Sequence, residues 1–402
     1  MKQYDIIIVG GGASGLTAAV SAARAGAHPV LLESGEKPGK KILATGNGRC
    51  NYTNRAMSEE FFHCVRPGFV RTVLSRFDEE DTLRFFESLG IPPAERNGYI
   101  YPRSGQAASV RDAFLLELDR LGAEVVCGAK VTEVRRGKDF LAVTREGDTL
   151  RASRLILAAG GCAAPKTGSD GSGYELARQL GHRIRPPYPS LVQLVTREKT
   201  LAAAAGVRAQ AKVTIRNAAG KPLDSDTGEL MITSYGISGI PVFQVSHDAS
   251  RALLRGQEVT AVLDFLPEMT EEEAARWLKR RRKMFPDRGG ADFLNGVLPD
   301  KLAAALMRGA TDGDLLRVLK HTSLTVTNTM GFENAQVCGG GADTAQIDPA
   351  SCESRLVPGL YLTGELMDVD GRCGGYNLQW AWSTGWIAGR HAAMKGRGNA
   401  SD

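Results

Sequence analysis

The sequence predicts a mixed α/β fold, in which a Rossmann-type parallel sheet is interrupted by a stretch of short alternating strands and a stretch of helices. Three observations support this prediction. An apolar run at residues 6–9 leads directly into a glycine-rich turn, a proline cluster at residues 185–189 changes the pattern, and a strand-like run at residues 359–364 again ends in glycine. The chain has 402 residues, so two or three domains are expected.

The first 33 residues have the pattern of a nucleotide-binding unit made of strand, turn, helix and strand. Gly10, Gly12 and Gly15 follow the apolar run with the spacing G-x-G-x-x-G, and Glu33 closes a second buried strand. In such a unit the glycines make a tight turn, admit a pyrophosphate to the backbone and let the helix pack on the strand. Glu33 is placed to accept hydrogen bonds from a ribose 2′-OH and disfavours a 2′-phosphate. These residues alone indicate either NAD or FAD.

Two later segments extend the predicted site beyond the nucleotide. Residues 34–51 form a loop rich in glycine, cations and amides, of the kind that cradles phosphates, although a mobile surface loop is the alternative. An amphipathic helix capped by Asp78 and a group of alternating strands follow. The buried strand within residues 155–161 then ends in two glycines. Such a return fits the second nucleotide contact of a flavoprotein.

The middle of the chain departs from this pattern. Residues 191–265 have the pattern of short alternating strands, with turns expected at residues 219–220 and 227–228, which indicates a small sheet or a partly open barrel. Residues 270–321 are expected to be helical, beginning with a capping threonine. We therefore place a first domain boundary at the proline cluster.

Composition limits the classes of function. The net charge of +5 is mild, and the basic run at residues 276–283 is interpreted as a solvated helix face rather than a nucleic-acid or membrane patch. None of the seven cysteines forms a C-x-x-C pair, so no zinc knuckle or redox disulfide of that spacing is indicated and reduced thiols are expected. No signal peptide and no long apolar stretch is present, so we expect a cytoplasmic protein without a membrane span. We also expect no metal site.

A third glycine cluster does not indicate a second dinucleotide site. Gly339, Gly340 and Gly341 are followed by Asp343 and Pro349, which leave no amphipathic helix, and the required second strand and acid are absent. The sequence therefore predicts no resident NAD(P)H domain. NAD(P)H, if it is the electron donor, would dock transiently at the flavin face.

The C-terminal segment indicates where the chemistry takes place. Gly374 and Gly375 stand just before a helix expected to include residues 380–390. Backbone N–H groups at the positive end of such a helix suit the N1/C2=O edge of a reduced flavin, where negative charge develops. The alternative, a helix that only completes the fold, does not explain so many glycines beside acidic, basic and amide residues.

These motifs resemble the bacterial FAD-binding flavoproteins of the aminoacetone oxidase family, whose relatives include a flavoprotein associated with bile-acid 7-dehydroxylation. This resemblance spans nearly the whole chain. A more distant similarity connects the chain to fumarate reductase flavoproteins. The matching segments are residues 9–15, 40–54 (KKILATGNGRCNYTN), 157–173 (LAAGGCAAPKTGSDGSG), 228–241 (GELMITSYGISGIP) and 359–389.

The resemblance implies a three-part architecture that agrees with the segmentation above. It consists of a two-segment FAD/NAD(P)-binding Rossmann-type domain, an inserted β-barrel-like domain and a helical module. The expected boundaries are residues 1–190 and 340–402 for the first, 191–267 and 321–339 for the second, and 268–320 for the third.

The resemblance also implies a set of FAD contacts, carried over residue by residue. Those given from Val131 onward would act through the backbone. The implied residues are Gly10, Gly12, Ala13, Ser14, Gly15, Glu33, Lys41, Thr45, Gly46, Arg49, Cys50, Asn51, Val131, Ala159, Gly160, Gly364, Glu365, Gly374, Gly375, Asn377 and Leu378.

Three residues are candidates for catalysis. We expect the substrate between the insertion and the isoalloxazine, beside residues 339–341, Tyr99, Tyr101, Tyr235 and Arg372. Arg372 is a candidate to clamp a carboxylate or carbonyl, and Tyr101 is a candidate proton donor. The alternative is that each side chain only packs or pairs.

The predicted function is an FAD-dependent oxidoreductase that passes a hydride between flavin and a small or steroid-like organic molecule. Reductase and oxidase are not separated by these residues, and the oligomeric state stays open. The alternatives are a flavin-dependent nucleic-acid-modifying enzyme, motivated by the basic run, and a non-enzymatic FAD-binding or sensor protein. We expect no nucleic-acid partner.

Overall fold

The computed structural model describes residues 2–397. In chain order, the strands are β1 (Gln3–Val9), β2 (Pro29–Leu32), β3 (Thr53–Asn54), β4 (Phe62–Cys64), β5 (Pro93–Arg96), β6 (Tyr99–Pro102), β7 (Glu124–Val126), β8 (Val131–Arg136), β9 (Phe140–Thr144), β10 (Thr149–Leu157), β11 (Ile184–Ser190), β12 (Leu194–Thr196), β13 (Arg208–Asn217), β14 (Pro222–Ile232), β15 (Gly236–Gly239), β16 (Val259–Asp264), β17 (Thr322–Thr329), β18 (Val337–Ala342), β19 (Leu360–Leu362) and β20 (Val369–Gly371). The α-helices are α1 (Ala13–Arg24), α2 (Lys40–Ala44), α3 (Phe69–Leu74), α4 (Glu79–Ser88), α5 (Ala107–Arg120), α6 (Ser172–Gln179), α7 (Ile240–Leu254), α8 (Glu271–Met284), α9 (Asp300–Met307), α10 (Leu315–Lys320) and α11 (Tyr376–Arg397).

The chain forms two compact units. Unit 1 comprises the chain up to Pro187 and from Val337 onward, and unit 2 comprises Tyr188–Gln336. Unit 2 is thus an insertion into unit 1, and each unit has its own hydrophobic core. Among the described residues, none of the helices is long and apolar enough to cross a bilayer.

Unit 1 is organised around one sheet in the order β7-β2-β1-β10-β9-β8, with β19 also paired to β10. Strands β7, β2, β1, β10 and β19 run parallel, whereas β9 and β8 form an antiparallel extension. The run Ile6, Ile7, Ile8 and Val9 is wholly buried, as expected for a strand covered on both faces. This arrangement confirms the predicted Rossmann-type sheet.

Helices α1 and α11 pack closely in unit 1 because α11 presents two glycines. A Cβ atom at Gly385 would overlap the carbonyl oxygen of Ser14, and one at Gly389 would overlap that of Ala18. Only glycine therefore lets the two backbones approach so closely. Helix α1 begins at the glycine-rich turn. Its contact with α11, which lies near the C-terminal end of the described chain, therefore helps to hold the start of α1 in place.

Unit 2 contains a closed six-stranded barrel in the order β12-β15-β14-β13-β16-β17. Alternate residues of β16 (Val259, Ala261 and Leu263) point into its core, which gives the period of two expected of a strand. Helices α8, α9 and α10 belong to the same unit, and Thr270 caps α8 with a capping box. The inserted barrel and the helical module are confirmed, and the barrel is closed rather than partly open.

Two expectations for unit 2 are wrong. Helix α7 lies within the stretch that the sequence assigned to strands, and its buried residues include Val242, Val245 and Ala249 at helical spacing. The turn expected at residues 227–228 is absent, because β14 continues through it and Gly228 pairs with Ala211 of β13. The turn at residues 219–220, which joins β13 to β14, is confirmed.

The proline cluster also differs from its prediction, because it is a strand rather than a break. The cluster lies in β11, which pairs with β18 alone in a two-stranded sheet. Proline is tolerated in such a strand because one side has no ladder to donate to. The fold class as a whole is confirmed, whereas the predicted domain boundaries stay predictions.

Candidate functional site

The carboxyl ends of four parallel strands meet at one edge of the unit 1 sheet. Gly10 follows β1, Glu33 follows β2, Ala159 comes after β10, and Gly364 comes after β19. Ligands of parallel α/β sheets bind at this edge because turns and helix N-termini collect there. The structure therefore brings together predicted site residues that are more than three hundred positions apart.

The glycine-rich turn leaves open space at the start of α1. Gly10 has a φ of 104°, and a Cβ atom on Gly15 would overlap the carbonyl oxygen of Gly10, so both positions require glycine. At Gly12, by contrast, an added Cβ would meet no heavy atom within 4 Å. No side chain caps α1, so the amides of its first turn, including those of Ala13 and Ser14, point towards this space. This geometry suits a pyrophosphate.

Glu33 is held beside the turn by two backbone amides. Its carboxylate accepts from Gly11 N at 2.8 Å and from Gly35 N at 2.6 Å. Each carboxylate oxygen has two lone pairs, so acceptor capacity remains for a ribose. Sequence reasoning missed Gly11, whose position between two motif glycines is the signal that could have found it.

Lys41 and Glu365 form an ion pair that joins α2 to the segment after β19. The Lys41 ammonium lies 2.7 Å from one Glu365 oxygen and donates to the carbonyl of Ala163 at 3.2 Å. The other Glu365 oxygen accepts from Cys338 N at 2.9 Å. Both partners are predicted FAD contacts, and the ion pair fixes their side chains relative to each other.

The loop after α2 adopts several left-handed backbone conformations. Gly46 has a φ of 55° and Cys50 a φ of 61°. The amide of Cys50 donates to Thr45 O at 3.0 Å, and burial raises the pKa of the Cys50 thiol to about 12, so this thiol is neutral. Asn51 Oδ1 is buried and has no hydrogen-bond partner in the structure, which marks an acceptor awaiting a donor. Arg49 is exposed.

The C-terminal loop before α11 packs against β3. Gly374 O accepts from Asn54 Nδ2 at 2.9 Å, and a Cβ on Gly375 would lie 2.7 Å from the Thr53 backbone. The Asn377 side chain is used within the loop, where it bonds both the amide and the carbonyl of Gly371 at 2.8 and 2.7 Å. The prediction that Asn377 contacts FAD through its backbone is compatible with this use of its side chain. Asn54 was missed, although it ends the motif at residues 40–54.

Helix α11 also positions Gly364 next to the start of α1. Gly364 N donates to Thr384 Oγ1 at 2.9 Å, and Trp380 Nε1 donates to Gly364 O at 3.1 Å. A Cβ on Gly364 would come within 2.7 Å of Ser14 Oγ. Trp380 and Thr384 were not predicted, although the small and aromatic residues of this helix are a signal for close packing.

The remaining predicted contacts lie at the borders of this region. Val131 is buried and opens β8, just after Ala129, whose amide donates to Glu33 O at 2.9 Å. Gly160 has a φ of 71°, as a sharp turn requires, and Leu378 lies half-buried in the first turn of α11. Whether these residues contact FAD stays a prediction.

The three catalytic candidates are not all in one unit. Tyr101 lies on β6 beside Gly46, whose added Cβ would be 3.6 Å from the Tyr101 ring. Arg372 is half-buried on the C-terminal loop, next to Tyr376, whose pKa burial raises to about 12. Tyr235 belongs to unit 2, in the turn between β14 and β15, where its carbonyl accepts from Thr196 N at 3.0 Å. Their catalytic roles stay predictions.

The residues present fit FAD. The open space at Gly12 suits the pyrophosphate, the anchored carboxylate of Glu33 suits the ribose, and the orphaned oxygen of Asn51 offers an acceptor further along the site. The glycines after β10 and β19 keep the same edge free of side chains. A dinucleotide that extends across this edge would use each of these features.

Two curated proteins are similar to this chain over almost its entire length. A 3-dehydro-bile acid delta(4,6)-reductase of Clostridium scindens is 46% identical over 404 residues, covering 96% of this chain and 98% of that protein. A ribosomal RNA dihydrouridine synthase of Haemophilus influenzae is 32% identical over 408 residues, with coverage of 96% and 98%.

Among solved structures, the 3-ketosteroid-delta4-(5alpha)-dehydrogenase of Rhodococcus jostii in complex with 4-androstene-3,17-dione is similar in fold. The TM-score is 0.51 at 16% identity, covering 98% of this chain and 97% of that chain. At this identity the likeness shows the fold alone.

The family comparison agrees with the site. Residues 4–391 match the family described as HI0933-like protein Rossmann domain. With the near full-length reductase relative, this match makes the chain an FAD-dependent oxidoreductase. The chain belongs to the HI0933-like Rossmann-domain family.

Proposed function

We propose that this protein is a reductase that uses FAD to pass a hydride to a carbon–carbon double bond of a steroid-like substrate. The observation that carries the proposal is the 46% identity to a 3-dehydro-bile acid delta(4,6)-reductase over nearly the whole of both chains. The open sheet edge and the open space at Gly12 are compatible with a flavin bound in the extended form. When bound, FAD supplies the hydride chemistry.

The protein's own residues would bind and orient the two reactants. The turn at Gly12 and the carboxylate of Glu33 would hold the adenosine diphosphate part, and the Lys41–Glu365 ion pair would border the flavin. Arg372 would bind the substrate carbonyl or carboxylate with its planar set of donors. Polarising a conjugated carbonyl in this way makes the distant carbon of the double bond a better hydride acceptor.

A proton must reach the neighbouring carbon after hydride transfer. We propose Tyr101 or Tyr235 as the donor, because a phenol hydroxyl carries a transferable proton. Tyr101 lies in unit 1 beside the loop at Gly46, and Tyr235 lies in unit 2. Replacing each tyrosine by phenylalanine distinguishes the two candidates. The variant that lacks the true donor should lose most of its turnover while FAD stays bound.

We further propose that NAD(P)H is the electron donor and docks transiently. The third glycine cluster is no nucleotide site, since Gly339, Gly340 and Gly341 lie inside the buried strand β18. When the holoenzyme is mixed anaerobically with each nicotinamide in turn, either NADH or NADPH should bleach the flavin. Failure of both would require another donor.

The decisive experiment follows the reduced flavin. Holoenzyme reduced anaerobically with dithionite should be reoxidised rapidly by a 3-oxo steroid with double bonds at positions 4 and 6, and the saturated 3-oxo steroid is the control. Slow reoxidation by oxygen would agree with a reductase. Fast reoxidation by oxygen with no response to the steroid would instead support an oxidase.

A second candidate function, reduction of uridine in ribosomal RNA, is favoured by the 32% identical relative from Haemophilus influenzae. Helix α8 adds an observation in unit 2. Arg276, Lys279, Arg280 and Lys283 are exposed and follow one another at helical spacing, so they share one face of the helix. Such a face suits a phosphate backbone, although a solvated surface has the same pattern.

Salt-dependent RNA binding tests this candidate. The double variant Arg280→Gln with Lys283→Gln should lower the salt slope of rRNA binding by about 2 if both residues contact phosphates. The control pair Lys138→Gln with Arg145→Gln removes two exposed charges from unit 1. Equal effects of the two pairs would leave the RNA function without support.

A further inference from the structure

Two cysteines that are far apart in the sequence are in contact in unit 1. Cys162 lies in the loop after β10, Cys338 is the second residue of β18, and their Sγ atoms are 3.5 Å apart. Cys338 is buried and Cys162 is half-buried, and both are reduced. The absence of a C-x-x-C motif had indicated only scattered thiols, because a pair separated by 176 positions leaves no local signal.

The two thiols have different chemical characters. The hydrogen bond between the two sulfurs lowers the pKa of the Cys162 thiol, and the Lys41 ammonium acts in the same direction, although burial and Glu365 oppose them. The same bond and burial raise the pKa of the Cys338 thiol. Cys162 is thus the nucleophile of the pair and Cys338 the proton-bearing partner.

The pair is part of a closed ring of contacts that includes the candidate FAD site. Cys338 N donates to Glu365 at 2.9 Å, Glu365 pairs with Lys41 at 2.7 Å, and Lys41 donates at 3.2 Å to the carbonyl of Ala163, the neighbour of Cys162. A backbone shift at Cys162 or Cys338 would therefore reach Lys41 and Glu365 through these hydrogen bonds.

We propose that Cys162 and Cys338 form a reversible dithiol–disulfide couple that is oxidised by hydroperoxides and that alters the FAD site through the Lys41–Glu365 ion pair. The second half of the proposal rests on the predicted contact of Lys41 with FAD. Disulfide formation would bring the sulfurs from 3.5 Å to about 2.05 Å, through rotation of the two side chains together with a shift of the Cys162 loop or β18.

The oxidation is balanced in two steps. The Cys162 thiolate attacks one peroxide oxygen, the O–O bond breaks, and the leaving oxygen departs as water after taking up protons. The Cys338 thiol then attacks the sulfenic sulfur of Cys162, the S–O bond breaks, and a second water leaves. Two thiols lose two electrons in all, and one hydrogen peroxide is reduced to two waters, or one organic hydroperoxide to an alcohol and one water. An external dithiol reverses the reaction.

Thiol counting on the holoenzyme tests the couple. After treatment with hydrogen peroxide, the wild-type protein should lose two titratable thiols per chain, yield a cross-linked peptide containing Cys162 and Cys338, and recover both thiols with dithiothreitol. Cys162→Ser and Cys338→Ser should not form this cross-link, whereas Cys127→Ser, which removes an exposed cysteine, should form it as the wild type does. An unchanged thiol count in the wild type, or a different cross-link, would overturn the proposal.

The absorption spectrum of bound FAD tests the second half of the proposal, the effect of the disulfide on the FAD site. Oxidation should shift the absorption spectrum of bound FAD in the wild type and in Cys127→Ser but not in Cys338→Ser. A disulfide that forms without any spectral change would refute the link to the FAD site. No steroid is needed, so failure of the proposed reductase function would leave both readouts unaffected.

Discussion

At the scale of single residues, the carboxylate of Glu33 makes the clearest prediction. It is held by Gly11 N and Gly35 N and lies at the end of β2, where a ribose is expected. Glu33→Gln keeps the shape but loses the charge, and hydrogen bonds to charged groups contribute about 1.5–3 kcal/mol. FAD affinity should fall roughly tenfold to hundredfold, measured by titrating FAD into the apoprotein and following flavin fluorescence.

The neighbouring exposed acid provides the control. Glu36→Gln changes the net charge by the same amount in the same loop, and Glu36 is exposed. Its FAD affinity should match that of the wild type. Equal weakening by both substitutions would mean that Glu33 acts only through the general charge of the loop.

The same scale shows why part of the site was predictable. Gly10, Gly12 and Glu33 serve one local unit, so their spacing along the chain carries the information. Asn54 and the Cys162–Cys338 pair act through partners that are far away in sequence, Gly374 in the case of Asn54. Residues of this second kind have no spacing to recognise, and only the packed fold reveals them.

At the scale of elements, the close contact of α11 with α1 depends on glycine. Gly389→Ala would place a Cβ against the carbonyl of Ala18, where backbone cannot yield easily. Overpacking costs about 1–3 kcal/mol, of which the better helix propensity of alanine offsets up to about 1 kcal/mol. We expect a net loss of roughly 1–2 kcal/mol in the stability of unit 1, visible as a lower urea midpoint by tryptophan fluorescence.

Gly137→Ala is the matched control for this substitution. Gly137 lies in unit 1, its φ is not in the left-handed region, and its added Cβ would meet only Asp139 O at 4.0 Å. The urea midpoint of this variant should stay close to that of the wild type. A Gly389→Ala protein as stable as the control would show that the helices can separate without cost.

The contact of α1 with α5 predicts a pH dependence. Only 9% of the Glu117 surface is exposed, and its carboxylate accepts hydrogen bonds from Arg120 and Arg24. These hydrogen bonds lower the pKa of Glu117 to about 2. A depressed pKa stabilises the fold at pH values above the ordinary 4.5, and this stability is lost as the pH falls towards 2. Glu117→Gln should therefore cost roughly 2 kcal/mol at neutral pH and almost nothing near pH 2.

Unfolding measured across this pH range checks the sign. The wild type should lose stability between pH 4.5 and 2 more steeply than Glu117→Gln. Glu146→Gln, at an exposed position in the turn after β9, should retain the wild-type profile. Parallel profiles for Glu117→Gln and the wild type would contradict the assignment.

The errors at this scale have physical causes. Helix α7 was missed because its β-branched residues favour strands locally, whereas burial of Val242 and Val245 in the core of unit 2 stabilises the helix. Gly228 was taken for a turn, but its added Cβ would lie 3.3 Å from Pro241 of α7, so the glycine makes room for the helix. By contrast, the caps Asp78 and Thr270 are local devices, and both were predicted correctly.

At the scale of the whole molecule, the division of labour between the two units can be tested by removing one. Unit 1 has its own core and contains all of the predicted FAD contacts, whereas the catalytic candidate Tyr235 belongs to unit 2. Within unit 1, Gly340 of β18 packs against the backbone of Pro186 in β11, so the leaving and returning strands lie side by side. A short glycine–serine linker can then replace Tyr188–Gln336.

We expect this shortened protein to fold and to bind FAD within about tenfold of the wild-type affinity, because the predicted FAD contacts and the hydrophobic core of unit 1 are retained. If Tyr235 is the proton donor, the shortened protein should lose most of its steroid reduction, because Tyr235 is removed with unit 2. Titration with FAD and anaerobic reoxidation by steroid measure the two properties, and Glu33→Gln in the shortened protein is the control for specific FAD binding. A folded unit 1 that binds no FAD would place essential cofactor contacts in unit 2, and one that still reduces the steroid at the wild-type rate would exclude Tyr235 from catalysis.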